Sequence, residues 1–223
     1  MCGRYTLVVT LEELMKHFML ENERLHTYSP RYNIAPGQWV PAIVNGGRSH
    51  IIGQLKWGLV PSWAQSDKES FKLINARAET VADKPAFRAA FKSRRCLIPA
   101  DGFYEWQRRS DGTKQPYRIV MREEGLFAFA GLYEIWMDKE GNKLSTCTIL
   151  TTEPNELMSV IHDRMPVILQ PGDERIWLDR NSQSSQLQQL LRPYPDRLME
   201  AYPVNQAVGN SRIDNADLIK RLV

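Results

Sequence analysis

The chain has 223 residues, 43% hydrophobic and 25% charged, a composition that lets a globular protein bury a core without disulfide or metal staples. Its net charge of +3 is too small to mark a polyanion binder by itself, so any phosphate contacts must come from a few placed arginines. No apolar run approaches the roughly 18 residues of a membrane span, and MCGRYTLVV lacks a secretory layout, so the expected location is cytoplasmic, at the nucleoid when bound to DNA.

In chain order, Leu11 to Leu20 reads as an amphipathic helix, with Thr10 as its N-cap and Leu11, Leu14, Met15 and Phe18 on the apolar face. Residues 29–39, SPRYNIAPGQW, are rich in turn formers and read as a loop. Val40–Val44 and Ile51–Leu55 predict a hairpin around Asn45-Gly46. Arg118–Met121, Leu126–Trp136 and Thr146–Thr152 are β-branched and aromatic runs, with the clearest hairpin turn at DKEGNK, 138–143. Glu153–Ile161 reads as a short helix and MPVIL, 165–169, as a strand. Asp173–Leu178, Gln183–Leu191 and Asn215–Leu222 read as helices. Few βαβ alternations occur and no linker divides the chain, so the expected fold is a single α+β domain over 1–223 on a mainly antiparallel sheet.

Candidate chemistry starts at Met1-Cys2-Gly3-Arg4. A small second residue permits removal of the initiator methionine, which would leave Cys2 as a free 1,2-aminothiol. Its α-amine, with a reference pKa of about 7.7–8.0, and its thiol, near about 8.5, are both partly deprotonated near neutrality. Such a pair condenses with an aldehyde: the amine gives a Schiff base and the thiol closes a five-membered thiazolidine. An internal cysteine cannot do this, because its nitrogen is an amide. The three cysteines (Cys2, Cys96, Cys147) are odd in number and far apart, and the four histidines (His17, His26, His50, His162) lack ligand spacing. Neither a disulfide framework nor a metal or other cofactor is therefore expected.

Three further segments carry polar groups in suggestive places. If 73–79, LINARAE, is a strand, alternation puts Asn75, Arg77 and Glu79 on one face, an array suited to holding a phosphate or a nucleophile, or simply a solvated face. Glu105 lies between Tyr104 and Trp106 after an Asp-Gly turn, and in a partly apolar pocket desolvation would raise its pKa into the acid–base range. His162, with Asp163 and Arg164, forms a polar corner between apolar runs. In WGLVPSW, 57–63, an exposed ring could stack on unpaired bases, while Trp57 is expected to be mostly core.

Together MCGRY, RYNIAPG (31–37), WGLVPSW (57–63), INARAET (73–79), PADGFYEW (99–106), IHDRMPVIL (161–169) and AVGN (207–210) resemble the SRAP family, the SOS response-associated peptidases or abasic-site processing proteins. Seven motifs in order over nearly the whole chain make the resemblance specific. It implies one SRAP domain, a curved, barrel-like antiparallel sheet flanked by helices, with a positively charged channel for single-stranded DNA. It also implies that Cys2 crosslinks to the abasic sugar, Asn75 orients the Cys2 amine, Glu105 transfers protons and His162 assists sugar-ring opening. Arg4 and Arg77 would hold phosphates, and Asn33, Pro36 and Trp63 would shape the channel. Ala64 follows Trp63 where some relatives carry a second tryptophan, which implies thinner stacking there. The chain ends soon after AVGN, as expected of a minimal form without an added tail, acting as a monomer on abasic single-stranded DNA.

Two other functions fit the same residues. Cys2 could be the nucleophile of a cysteine peptidase, limited at most to removing Met1, with its own amine as base. Alternatively Arg4, Arg77 and Trp63 could read single-stranded or damaged DNA without any covalent step.

Overall fold

The computed structural model describes residues 2–25, 27–123 and 125–222; Met1 and His26 lie outside them. The strands are β1 (Tyr5–Leu7), β2 (Asn22–Glu23), β3 (Arg31–Ile34), β4 (Trp39–Asn45), β5 (His50–Trp57), β6 (Asn75–Arg77), β7 (Arg95–Ala100), β8 (Gly102–Arg108), β9 (Lys114–Met121), β10 (Phe127–Met137), β11 (Lys143–Thr152), β12 (Met165–Pro166), β13 (Ile168–Leu169) and β14 (Met199–Pro203). The helices are α1 (Leu11–His17), α2 (Pro85–Ser93), α3 (Glu156–Ser159), α4 (Asp173–Leu178) and α5 (Ser184–Gln189). The α+β class with a barrel-like sheet is as expected. No helix among the described residues is long and apolar enough to cross a membrane.

One sheet runs β14-β9-β8-β1-β3, the other β12-β11-β10-β7-β4-β5-β2. The second closes on itself: β5 pairs in parallel with β11 through Thr146↔Lys56 and Cys147↔Trp57, so β11, β10, β7, β4 and β5 form a ring. Closure removes the exposed edges that open sheets must otherwise protect. Strand β6 then adds in parallel to β11, placing Asn75 opposite Ile149. Tight backbone approaches need glycine at two points. A Cβ on Gly131 of β10 would sit 2.8 Å from Cys96 Sγ, and Gly58, at φ +130°, ends β5 against the Ser70 carbonyl.

The sheets meet through aromatic rings. Tyr5 of the first packs edge-on against Trp57 and Phe129 of the second, with centroids at 5.5 and 5.7 Å, and Phe103 joins Phe129. Trp57 is core, as expected, and its indole N–H donates to Ile74 O at 2.9 Å. A smaller cluster of Tyr104, Val120, Tyr202, Val204, Val208 and Leu218 covers the other face of the first sheet.

Most local expectations match. Thr10 caps α1 in a full capping box with Glu13, the Asn45-Gly46 and 138–143 hairpins form, and α4 has the expected bounds. Three differ. Residues 31–34 are a strand, not a loop, because β1 supplies a partner through Tyr5↔Ile34 and Leu7↔Arg31. The 215–222 helix reduces to a single 3-10 turn at Ala216–Ile219, since Leu222 N–H is drawn to Pro203 O at 3.0 Å. MPVIL breaks at Val167 into β12 on β11 and β13 on β10, wedged between their splayed ends.

Strand β1, which carries the chain start, is pinned from below by a buried network. Asp101 accepts from Thr6 Oγ1 and Val8 N–H, and Arg118 reaches it at 3.1 Å while also bonding Tyr202. Removing one member leaves the other's charge buried, so Asp101→Ala should lower the unfolding free energy by about 3–5 kcal/mol in urea titrations. A loss within the ~1 kcal/mol of a surface pair would show that the network does not hold β1.

Candidate active site around Cys2

The residues before β1 run beside β8, where Tyr104 N–H donates to Arg4 O at 2.9 Å. Cys2 is fully buried there. Asn75 reaches it from the second sheet: its Nδ2 donates to Cys2 O at 3.0 Å and to Ile74 O at 2.9 Å. Two carbonyl acceptors fix the amide's orientation, so Oδ1 points elsewhere, into a buried position with no partner among the described residues. Burial pushes the Cys2 thiol well above its ordinary range, and the neighbouring Glu105 charge adds to the rise.

Glu105 is 2% exposed, and burial lifts its carboxyl to about 7. The carboxyl is elevated as desolvation would have it, although Tyr104 and Trp106 point to the opposite face of β8. His162 arrives from the turn after α3, a helix whose first turn is capped by Asn155. Its Nε2 stands 3.9 Å from Glu105 Oε2. Two contacts compete at Nδ1: Arg164 N–H donates to it at 3.1 Å, while Asp163 Oδ1 lies 2.9 Å away. A backbone donor is fixed, whereas the Asp163 side chain is mostly solvent-exposed, so Nδ1 is assigned as acceptor and the Nε2–H tautomer faces Glu105. Burial lowers the imidazole's pKa, partly opposed by Asp163, which favours the neutral ring. An open cleft of about 600 Å³ leads outward, lined by Glu105, Trp106, Arg108, Lys114, Ile161, His162 and Asp163.

Cys2, Asn75, Glu105 and His162 are therefore brought together from β1's lead-in, β6, β8 and the 160–164 turn. The other candidates fall differently. Arg77 is exposed on β6. Arg4 is engaged internally, donating to Asn33 Oδ1 at 2.9 Å, Val208 O at 2.6 Å and Gly209 O at 3.1 Å. Asn33 is fully buried, and its Nδ2 donates to carbonyls at 208, 210 and 213. Pro36 is half-buried, and Trp63 is 69% exposed. Glu79 is not on the strand face with Asn75 and Arg77, because the chain turns into a 3-10 segment at Ala78–Thr80. It clamps Arg164 instead, at 2.8 and 2.9 Å, tying the Asn75 segment to the His162 turn.

Several residues carried no readable signal in the sequence. Trp136 donates its indole N–H to Ala64 O at 2.7 Å and so supports the loop that carries Trp63. Trp39 is half-exposed on β4. For Trp136 the hydrogen bond spans 72 residues, beyond any local pattern.

This chain belongs to the SRAP family: the model for "SOS response associated peptidase (SRAP)" matches residues 1–211. Among its relatives, the abasic site processing protein YoqW of Bacillus subtilis is 48% identical over 222 residues, 99% of each chain. The abasic site processing protein HMCES of Xenopus tropicalis is 30% identical over 228 residues, covering 88% of this chain and 67% of its own. A crystal structure of a Bacteroides thetaiotaomicron protein superposes with a TM-score of 0.87 at 25% identity over the whole of both chains. One from Bordetella bronchiseptica gives 0.80 at 26% identity, covering 92% of this chain and all of its own.

The raised Glu105 carboxyl has a consequence for stability. Its folded value near 7 exceeds the ordinary 4.5, so the fold holds this proton more tightly than the unfolded chain does. The stability it contributes is complete below about pH 4.5 and is lost as pH rises through 7. Glu105→Gln, which cannot ionise, should therefore exceed wild type in stability at pH 8 by on the order of 3 kcal/mol, with the advantage gone at pH 4.5. Urea melts at both values check this; equal stability at pH 8 would contradict a buried, elevated carboxyl.

Proposed function

We propose that this protein, acting as a single monomeric domain, processes abasic sites in single-stranded DNA by forming a covalent thiazolidine between Cys2 and the sugar's aldehyde once Met1 is removed. The observation that carries this reading is the buried junction of Cys2, Asn75 and Glu105, with a carboxyl that keeps its proton near neutrality. The names of the relatives supply the substrate class.

The chemistry follows from the geometry. Neutral His162, with Nε2–H toward Glu105, shuttles the proton that opens the closed sugar to its aldehyde. The Cys2 amine, its carbonyl held by Asn75, attacks C1′ to give a carbinolamine. Glu105 donates its proton to the departing hydroxyl, and water leaves. The resulting carboxylate then accepts the thiol proton, and sulfur adds to the imine carbon to close the ring. One aldehyde and one aminothiol give one thiazolidine and one water. Ring closure removes the Schiff base from which β-elimination would break the strand, and the same acid can reopen the ring.

The raised thiol supports this order of events. A peptidase nucleophile needs a thiolate at neutral pH, whereas here the thiol keeps its proton until Glu105 can take it. Arg77 and exposed Trp63 are proposed to meet the phosphates and unpaired bases. Arg4, Asn33 and Pro36 support the channel by holding the 207–213 segment and the turn before β4.

Met-free protein mixed with abasic single-stranded DNA should give a shifted band on a denaturing gel, absent with Cys2→Ala. Glu105→Gln should slow its formation by about 100-fold. No band from Met-free wild type would refute the reading, as would cleavage of a peptide without any DNA adduct. The rate should be bell-shaped in pH, because it needs a neutral amine, ordinarily about 7.7–8.0, and a protonated Glu105, whose carboxyl burial raises. Loss of the alkaline limb in Glu105→Gln assigns that limb; its persistence would assign it to another group.

A further inference from the structure

Arg4 directs three of its five donors at Asn33 and two carbonyls, so part of its capacity for a phosphate is taken up inside the protein. Two other cations stand in the cleft. Arg108 near the end of β8 and Lys114 at the start of β9 are direct cross-strand partners, and both line the cleft with Glu105 and His162. Like charges directly opposite each other in an antiparallel pair are unfavourable. Asp111 at the hairpin tip is turned onto Thr113, at 2.9 and 2.6 Å, and the mostly solvent-exposed Asp163 forms no ion pair with either cation among the described residues. Among the described residues neither the Arg108 nor the Lys114 side chain has an acceptor. A local conflict without internal compensation is expected where a ligand supplies what is missing, and the missing partner is an anion.

We propose that Arg108 and Lys114 form a phosphate subsite that grips the DNA backbone next to the abasic sugar, with half-buried Trp106 as its apolar wall. The proposal rests on the reading that abasic single-stranded DNA is the substrate. Arg108 lies three residues along β8 from Glu105, roughly 10 Å at strand rise, so a gripped backbone passes the reacting carbon on its way through the cleft. The cations act on the strand rather than on the chemistry: they set where it lies before Cys2 reacts.

Equilibrium binding separates this from catalysis. Full-length wild type, Arg108→Gln, Lys114→Gln and the double variant are titrated, across a salt series, with single-stranded DNA carrying a stable abasic analogue that lacks the aldehyde. Each lost contact should reduce the salt slope by about 0.7, weakening binding about eightfold at 50 mM salt and about threefold at 200 mM. Lys114→Arg and Arg108→Lys should stay near wild type. Arg48→Gln, an exposed cation in the β4–β5 turn, should leave the slope unchanged. Relief of the like-charge pair should leave the double variant at least as thermally stable as wild type.

The subsite is overturned if the double variant keeps the wild-type affinity and slope, if Arg48→Gln has the same effect, or if the double variant melts lower. Crosslinking by wild type to aldehyde-bearing DNA is scored in parallel. No adduct alongside a reduced slope would sink the abasic-site reading and leave the phosphate subsite standing. An adduct alongside an unchanged slope would do the reverse.

Discussion

Chain ends normally fray, because few contacts repay the entropy of ordering them. Here Cys2, three residues before β1, is fully buried, and the rest of the site depends on that. The Asn75 amide holds the Cys2 carbonyl from one sheet, while Tyr104 N–H holds the Arg4 carbonyl from the other. Arg4's side chain then anchors the 208–209 segment. Asn75 can reach Cys2 only because β6 lies along β11, itself fixed by closure of the ring through β5. A terminus bound this way gives a reactive group the rigidity of a core residue.

The same burial sets the electrostatics. Removing Cys2 and Glu105 from water raises both pKa values, and the Glu105 charge further discourages ionisation of the Cys2 thiol. A hydrolase built on a thiolate would suffer from this. An amine-first condensation does not, since it needs a protonated acid at dehydration and a base only afterwards. His162, neutral and aimed at Glu105, completes a site in which protons move over short distances out of bulk water.

Much of this was legible in the sequence, for physical reasons that differ by residue. The helix at 11–17 announces itself through Thr10 and Glu13, whose reciprocal bonds are local. The raised carboxyl of Glu105 comes instead from burial on the face of β8 opposite Tyr104 and Trp106, which long-range packing decides. Long-range partners decide the rest. Arg31–Ile34 reads as a loop until β1 pairs with it, and Glu79 leaves its expected face because Arg164, 85 residues away, holds it. That Arg4 also holds Val208 and Gly209 cannot be read locally, because those carbonyls lie more than 200 residues away. Nor does a local pattern reveal that Arg108 and Lys114 face each other across a cleft; that follows from the register of one hairpin.

The central claim is the bond that forms at the sugar carbon, and it can be observed directly. DNA labelled with ¹³C at C1′ of its abasic site, bound to Met-free protein, should show that carbon as saturated and attached to both nitrogen and sulfur. An unsaturated imine carbon at completion, or a carbon bearing sulfur and oxygen without nitrogen, would contradict a thiazolidine formed by the Cys2 amine and thiol.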